Sequence, residues 1–302
     1  MMKKITLMTY IIFCFLIVSN FLEAKELEDN SRYLFYRNPQ RFAVIGDAGH
    51  WNIHAEKVRD SILKRGVQNL ILPGDNLYDT SLNYDDVWSH WINSDLNFSV
   101  TALGNHYKTI PSELSYFGMP SNFYYKDLGS VRFIVLDSET QDVLDQQIAL
   151  VEDALENSPH QFNVIVFHHP MATISYRHGW RERQDFHLAM RPVFEKYQKK
   201  INLVINGHDH LATLFTYNDL PVLVSGAVFE SRPAPAFEYQ QEGGAFISTK
   251  WVNKNGYYWV ELEFLPDENL IKLNFIRTDK PEVSCLMYVK NKTIFRHPVC
   301  YK

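Results

Sequence analysis

Short apolar runs alternate with stretches of helical periodicity through the first two thirds of the chain. Ala55, Val58 and Ile62 recur at helical spacing, whereas Leu203–Ile205 is a short apolar run closed by Asn-Gly. Strands are predicted at Phe42–Ile45, Leu70–Leu72, Val100–Leu103, Phe133–Leu136, Val164–Phe167 and Leu203–Ile205. Helices are predicted at Ala55–Lys64, Asp85–Ile92, Asp145–Leu155 and Gln184–Tyr197. This alternation is typical of a β-sheet layered with helices.

The last third of the sequence favours strands. They are predicted at Val222–Ser225, Gly256–Phe264 and Leu270–Arg277. An alternating front followed by a β-rich back indicates a layered α/β domain with two sheets. Because no repeat, low-complexity segment or linker interrupts the pattern, residues 25–302 are predicted to form a single domain with a β-rich C-terminal part.

The N-terminal residues have the pattern of an export signal. Lys3 and Lys4 precede an apolar stretch from Ile5 to Leu22, and Ala24 offers a small residue for cleavage. Residues 1–24 are therefore predicted to be a signal peptide, which places the mature chain in the periplasm or outside the cell, with no membrane attachment. The apolar stretch is also long enough to span a bilayer, so an uncleaved anchor stays open.

Composition and cysteine content narrow the functional classes. The net charge of −5, without a basic tail, argues against general nucleic-acid binding. The 46% hydrophobic content is sufficient for one sizeable core. Cleavage would leave Cys285 and Cys300, and a pair of cysteines in an exported protein predicts a disulfide, with two free thiols as the alternative.

Five predicted strands end in polar residues of a restricted kind. The endings are Gly46-Asp47-Ala48-Gly49, Gly74-Asp75-Asn76-Leu77-Tyr78, Gly104-Asn105-His106, His168-His169-Pro170 and Gly207-His208-Asp209-His210. One such ending is common turn chemistry, but ligands of open α/β sheets bind beyond the carboxyl ends of the strands. Five in order predict a metal site. If extended geometry continues past Gly207, His208 and His210 face one common point.

The order of these endings resembles that of a known family. GDxG, GDNxY, GNH, HxP and GHxH, from about Phe42 to Phe229, are similar to the motifs of calcineurin-like metallophosphoesterases. Within that superfamily the sequence is most similar to purple acid phosphatases, particularly the small type seen in mammals. The resemblance implies a four-layer αββα sandwich of two mixed β-sheets flanked by helices.

The resemblance also implies two metal ions and no other cofactor. The first ion would take Asp47, bridging Asp75, Tyr78 and His210, and the second would share Asp75 and take Asn105, His168 and His208. Tyr78 selects the purple branch, since a tyrosinate is a hard donor suited to Fe(III); the partner would be divalent Fe, Zn or Mn. Many relatives have a histidine where this chain has Gly49. His50 is a possible substitute ligand, although its register is wrong.

Two further histidines are implied to be catalytic. His106 follows Asn105 and resembles the histidine that orients the substrate or protonates the leaving group. His178 precedes a glycine near the spacing of the second catalytic histidine, with an exposed loop histidine as the alternative. His169 is expected either to pack in the interior or to support the ligands from behind, because the His-x-Pro pattern selects His168. Tyr107 departs from the acidic residue usual in the family at that place.

The function implied is an exported binuclear-metal acid phosphatase. It would hydrolyse small phosphate monoesters through in-line attack of a metal-bound hydroxide. A phosphodiesterase or nucleotide-cleaving enzyme is the alternative, since the same metal pair serves both reactions. A non-catalytic secreted protein that captures metal or phosphate is the alternative from another class, and His106 argues against it because capture does not require that residue.

Overall fold

Fifteen strands and five α-helices occur in the part of the chain that the structure describes. The computed structural model describes residues 40–92, 95–175, 178, 180–232, 240–242, 245–252, 256–278 and 283–297. The strands are β1 (Gln40–Val44), β2 (Asn69–Leu72), β3 (Asn97–Thr101), β4 (Tyr124–Leu128), β5 (Val131–Val135), β6 (Phe162–Val166), β7 (Leu203–Asn206), β8 (Ala212–Tyr217), β9 (Leu220–Ser225), β10 (Gln240–Glu242), β11 (Ala245–Val252), β12 (Tyr258–Leu265), β13 (Leu270–Arg277), β14 (Val283–Lys290) and β15 (Thr293–Arg296). The helices are α1 (Ile53–Lys64), α2 (Tyr84–Ile92), α3 (Ile110–Phe117), α4 (Leu144–Glu156) and α5 (Gln184–Lys196).

The strands form two mixed sheets. The first has the order β15-β14-β13-β12-β1-β2-β3, and the second has the order β10-β11-β8-β9-β7-β6-β5-β4. Strands β1, β2 and β3 are parallel neighbours, as are β5, β6, β7 and β9, and the flanking strands are antiparallel. The two mixed sheets and the flanking helices predicted from the resemblance are confirmed.

Two apolar cores hold the layers together. Between the sheets, the rings of Phe42, Phe133 and Phe264 pack edge to face at 5.3–6.0 Å between centroids. The second core joins the other face of the second sheet to α4 and α5, where Phe167 contacts Phe186 at 5.2 Å. The edge-to-face pairs between the sheets favour one fixed packing of that core, which holds the strand ends in place relative to one another.

Local sequence explains the first helix. Asn52 precedes α1, and its side-chain oxygen accepts hydrogen bonds from the backbone N–H groups of His54 and Ala55. This is the interaction expected of a helix N-cap. The helix then buries Val58 and Ile62, the positions that predicted it. The predicted helices correspond to α1, α2, α4 and α5, with ends shifted by one or two residues at most.

Several elements were not predicted, or were placed wrongly. Helix α3 and strands β4, β8, β10, β11, β14 and β15 were missed. Helix α3 gave little signal because it has only eight residues and buries only Glu113 and Phe117. The strand predicted at Val100–Leu103 is instead β3, Asn97–Thr101. Ala102 and Leu103 are buried beyond the strand end, so their apolar character reflects packing around the site.

Two sequence predictions concern the termini. The predicted signal peptide, residues 1–24, lies outside the described residues, as does Cys300. Cys285, buried on β14, is disulfide-bonded. Its pairing with Cys300 stays a prediction. Among the described helices, none combines the length and the apolar character needed to cross a membrane.

Candidate metal centre

The carboxyl ends of strands from both sheets meet at one edge of the molecule. Asp47, Asp75 and Asn105 follow β1, β2 and β3 of the first sheet, whereas His168 and His208 follow β6 and β7 of the second. Backbone contacts join the two edges: Gly46 N–H donates to the Ser225 carbonyl at 2.6 Å. The structure therefore brings together all five strand endings selected from the sequence.

A cavity of about 400 Å³ opens at this edge. Its lining combines candidate metal ligands with histidines, an aromatic wall and two charged side chains. The lining residues are His50, Asp75, Tyr78, Asn105, His106, His178, His208, His210, Phe229, Glu230 and Arg232. Asp47 and His168, the remaining candidate ligands, are fully buried behind this surface.

The floor of the cavity, defined as Asp47, Asp75, Asn105 and His168, is built from converging acceptors. The Nδ1 atom of His168 lies 3.0 Å from the Pro73 carbonyl, so Nδ1–H donates outward and the Nε2 lone pair faces inward. That Nε2 lies 3.1 Å from both Asp75 Oδ1 and Asn105 Oδ1. Three acceptor atoms directed at one another require a cation or a proton between them.

The pKa values of the floor residues also indicate that a positive charge is needed there. Burial lowers the pKa of His168, but the nearby Asp75 and Asp47 carboxylates outweigh burial and raise it to about 9. For Asp75, burial raises the pKa, yet the His168 charge and hydrogen bond hold it below its ordinary value. A proton on His168 thus stabilises the carboxylate at the position where a metal ion would supply positive charge.

Tyr78 and His210 complete a second group beside Asp47. The Tyr78 hydroxyl lies 3.0 Å from Asp47 Oδ1 and 2.9 Å from His210 Nε2. Burial, followed by the charges of Asp47 and Asp75, raises the pKa of Tyr78 well above its ordinary value. Burial likewise raises the pKa of Asp47. Without a cation the phenol therefore keeps its proton, and a tyrosinate would need a metal ion beside it.

The backbone at the site is unusual. Asp47, Asp75, His208 and His210 have φ of 54°, 57°, 70° and 49°, in the left-handed region that non-glycine residues seldom occupy. The condition under which His208 and His210 would face one common point, extended geometry past Gly207, is not met, because β7 ends at Asn206. His208 and His210 do not face one point: His208 Nδ1 lies 3.1 Å from Asn105 Oδ1, while His210 contacts Tyr78.

Gly49 is required by the packing of two turns. The Gly49 N–H donates to the Asp75 carbonyl, and the Tyr78 N–H donates to the Gly49 carbonyl, both at 3.0 Å. A Cβ at position 49 would lie 2.3 Å from the Leu77 nitrogen. No side chain fits there while the turns keep this contact, which explains why a histidine is excluded. His50 is exposed at the cavity wall, with its ring 5.2 Å from that of Phe229.

The two histidines implied to be catalytic differ in their surroundings. His106 is exposed in the cavity, and its ring packs on Tyr78 at 4.5 Å between centroids. His178 is more enclosed: its Nδ1 lies 3.1 Å from Glu182, and its Nε2 accepts from Arg232 at 3.0 Å. Both therefore line the cavity, but His178 is engaged at each ring nitrogen.

His169 lies behind the floor. It is buried, and its Nδ1 lies 2.9 Å from the Ser138 hydroxyl and 3.2 Å from Glu139. Among the described residues, three groups hold possible ligand atoms within 4.8 Å of one another: Asp47, Asp75 and His168; His168, His169 and His208; and His178, Glu182 and His208. The floor and its neighbours thus contain more ligand atoms than the sequence motifs alone indicated.

The rim of the cavity, defined as His178, Glu182, Glu230 and Arg232, contains three residues that sequence reasoning missed. Glu182 lies four residues after His178 in a short 3₁₀-helix, Trp180–Arg183. Glu230 and Arg232 follow β9, which ends at Ser225 and is followed by Gly226. A glycine also lies near the ends of other strands at the site. Extending the strand-end pattern to this sixth strand would have indicated the segment, although not the charged residues themselves.

Known structures share this architecture. No family model and no curated protein matches the amino-acid sequence. A purple acid phosphatase from yellow lupin (Lupinus luteus) seeds superposes with a TM-score of 0.67 at 14% identity, over 84% of this chain and 54% of that enzyme. GAP50, the anchor in the inner membrane complex of Plasmodium, gives 0.66 at 16%, over 83% of this chain and 89% of that chain. A dimetal phosphatase from Danio rerio gives 0.50 at 15%, over 83% and 98%.

The chain has the fold of the calcineurin-like metallophosphoesterases. The predicted recognition of that fold is confirmed. The chain spans about half the length of the lupin enzyme, so it corresponds to one part of that longer protein. In the metallophosphoesterase fold of this chain, the candidate ligands occupy the strand ends described above.

Proposed function

We propose that this protein is an exported two-metal phosphoesterase that hydrolyses small phosphate monoesters. One observation carries the proposal: acceptor atoms converge on a common point. They belong to Asp75, Asn105, His168 and His208. A bound metal ion would satisfy these acceptors without a proton between them. The similarity of the fold to phosphatases supports it.

The donor set fits two cations of different character. Asp47, Tyr78 and His210 would hold one ion, and the tyrosinate favours Fe(III) there. Asn105, His168 and His208 would hold a divalent ion, with Asp75 shared. Two such ions, when bound, clamp the attacking and leaving oxygens of an in-line displacement. The raised pKa values of Asp47 and Tyr78 show that burial disfavours their ionised forms. A cation bound beside them would stabilise those forms.

The remaining cavity residues would act on the substrate. His106 is exposed next to Tyr78, within the cavity, and is proposed to orient the phosphoryl group or protonate the leaving oxygen. His178 is proposed to assist at the rim. Phe229 contacts Tyr78 at 4.9 Å between centroids and forms an apolar wall, which would shield part of the site from water.

Export is proposed from two features. The N-terminal sequence has the pattern of a signal peptide, and Cys285 is disulfide-bonded, which is typical of proteins in oxidising compartments. N-terminal sequencing of the mature protein tests the cleavage after Ala24. A retained N-terminus in the membrane fraction would support the anchor instead.

Two alternatives are kept because specific observations favour them. A phosphodiesterase would use the same donors, and the open cavity does not select monoesters. A non-catalytic role is favoured by the resemblance to the Plasmodium protein described as an anchor, which superposes with a TM-score of 0.66.

One assay separates these functions. The metal-loaded protein is given p-nitrophenyl phosphate and, in parallel, bis-p-nitrophenyl phosphate, and its metal content is measured. We expect two metals per chain and faster turnover of the monoester. Preference for the diester would identify the phosphodiesterase, and two metals without turnover of either would identify the binding protein. As a matched control, Glu152→Gln changes an exposed carboxylate paired with Lys196 and leaves the site intact.

A further inference from the structure

The two histidines of the Gly-His-Asp-His segment are each held from outside by a carboxylate. His208 lies between Asn105, on the inner side, and Glu182, whose Oε2 is 2.7 Å from His208 Nε2. His210 lies between Tyr78 and Glu230, whose Oε2 is 2.9 Å from His210 Nδ1. The first contact is a hydrogen bond, whereas the second has an ion-pair distance without good hydrogen-bond alignment.

These two carboxylates belong to one continuous chain of contacts. His178 Nδ1 lies 3.1 Å from Glu182, and His178 Nε2 accepts from Arg232 at 3.0 Å. Arg232 in turn donates to Glu230 at 3.1 and 3.3 Å. The rim therefore connects His208 to His210, and with them the two candidate metal sites, by polar contacts alone.

The tautomers follow from these contacts. A carboxylate only accepts hydrogen bonds, so the nitrogen facing it must carry the proton. His208 therefore carries its proton on Nε2 and presents Nδ1 to the floor. At His210 the Glu230 oxygen lies 2.9 Å from Nδ1 without hydrogen-bond alignment, so the carboxylate charge favours a proton on Nδ1 and leaves Nε2 facing Tyr78 and Asp47. A metal ion binds the unprotonated nitrogen. Each outer carboxylate thereby fixes which nitrogen of its histidine is free to bind a metal, and the direction in which it points.

We infer that Glu182 and Glu230 are positioning residues, one for each metal site, which hold His208 and His210 in the tautomer and orientation needed for binding. The inference rests on the proposed two-metal function. Outer carboxylates of this kind tune metal affinity without touching the ion. Arg232 and His178 join the two carboxylates, so the rim links the groups that position both histidines.

The experiment measures metal affinity rather than activity. Wild type, Glu182→Gln and Glu230→Gln are titrated with Zn²⁺ against a competing chelator, and the dissociation constants of both equivalents are fitted. We expect Glu182→Gln to weaken one equivalent by about 10–100-fold and leave the other nearly unchanged. Glu230→Gln should weaken the other equivalent, by a smaller factor because its contact is less well aligned. The control, Glu152→Gln, should match wild type.

A second measurement does not depend on metal. ¹⁵N-histidine NMR spectra of the metal-free protein should show His208 protonated at Nε2. Glu182→Gln should alter the signals of His208 and of His178, which also contacts Glu182, while His210 keeps its signal. Two tight equivalents in wild type, with unchanged constants in both variants, would overturn the positioning role and leave the proposed function standing. Wild type that binds fewer than two metal ions even when iron and zinc are supplied together would instead overturn the proposed function together with this inference.

Discussion

The floor and the rim face the same cavity but are built in different ways. Asp47, Asp75 and His168 of the floor are almost fully buried, and backbone groups of neighbouring turns fix them. The side chains of Glu182 and Glu230 in the rim are 39% and 45% exposed and are held by other side chains. The floor is thus part of the fold itself, whereas the rim is attached to it by hydrogen bonds across loops.

This difference predicts how the two regions respond to substitution. Loss of a floor residue removes a ligand and leaves buried polar groups without partners, which costs both metal and stability. Loss of a rim residue leaves the neighbouring groups accessible to water, so the effect should be graded and confined to one site.

Asp75→Ala should have the largest effect. Asp75 is proposed to serve both ions, so the variant should bind less than one tight equivalent of metal. Turnover should fall to background, the loss of an acceleration that in enzymes is at least about 10⁶-fold. Elemental analysis and the p-nitrophenyl phosphate assay measure the two quantities.

A folding control is needed for this variant, because the Asp75 carboxylate also accepts from the His106 N–H at 2.9 Å. Asp75→Asn keeps an oxygen for that bond and removes the charge. Its far-ultraviolet circular dichroism should match wild type while metal is still lost. Full occupancy in Asp75→Asn would show that Asp75 does not bridge the ions.

His106→Ala should keep both metals and lower kcat by about 10²–10⁴-fold, as expected for a general acid or an orienting group. The exposed ring contributes little to the core, so stability should change slightly. If His106 donates a proton, the loss should shrink for substrates with good leaving groups. An unchanged kcat would transfer the role to another residue, with His178 as the first candidate.

The residues of the floor could be predicted from the sequence because each of them follows a strand. Asp47, Asp75 and Asn105 are next to glycines, and parallel strands bring their carboxyl ends to one edge. The two-sheet domain was predicted from the alternating front and the β-rich back of the chain, and the resemblance supplied the four-layer order. The left-handed φ of His208 and His210 was not predictable, since extended geometry was the simplest assumption.

The rim could not be predicted from the sequence because its residues are held by side-chain contacts between loops that are distant in the chain. Arg232 and His178 are 54 residues apart, and no spacing rule links them. Glu113 is a second example: it lies on the missed helix α3, yet it is fully buried and accepts a hydrogen bond from the Asn76 side chain at 2.7 Å.

Glu113→Gln should change the pH dependence of stability. Burial raises the pKa of Glu113 from 4.5 to about 7. Because the folded-state pKa is the higher one, the contribution to stability is fully present below pH 4.5 and is lost as the pH rises through 7. The loss is about 3 kcal/mol at most. Glutamine does not ionise, so the variant should lose less stability than wild type between pH 4.5 and 7.5.

Urea unfolding at the two pH values measures this difference, with both proteins in the same metal state. Gln at position 113 keeps an oxygen for Asn76, so the variant should fold. Glu56→Gln, at a partly exposed position in the first turn of α1, is the control. Equal losses in wild type and Glu113→Gln would show that the buried carboxyl does not titrate in this range.

Tyr78→Phe should have the smallest effect on rate and the clearest effect on the spectrum. It lies where the floor meets the open cavity, with its hydroxyl 3.0 Å from Asp47 and 2.9 Å from His210. The ring would stay packed on Phe229 and His106, so the fold should be kept. Asp47 and His210, the other proposed ligands of that ion, and the shared Asp75 remain, so the fall in kcat should be smaller than for His106→Ala.

The spectrum tests what the hydroxyl does when iron is present. Burial and two neighbouring carboxylates raise the pKa of Tyr78, so only a strongly charged cation would form the tyrosinate. Iron-loaded wild type should therefore show a tyrosinate-to-iron absorption band in the visible region, and metal-free wild type and iron-loaded Tyr78→Phe should lack it. Iron content measured in parallel separates a lost ligand from a lost ion. A colourless wild type with full iron and normal turnover would leave a two-metal phosphoesterase in place but remove Tyr78 from the ligand set, and with it the specific likeness to purple acid phosphatases.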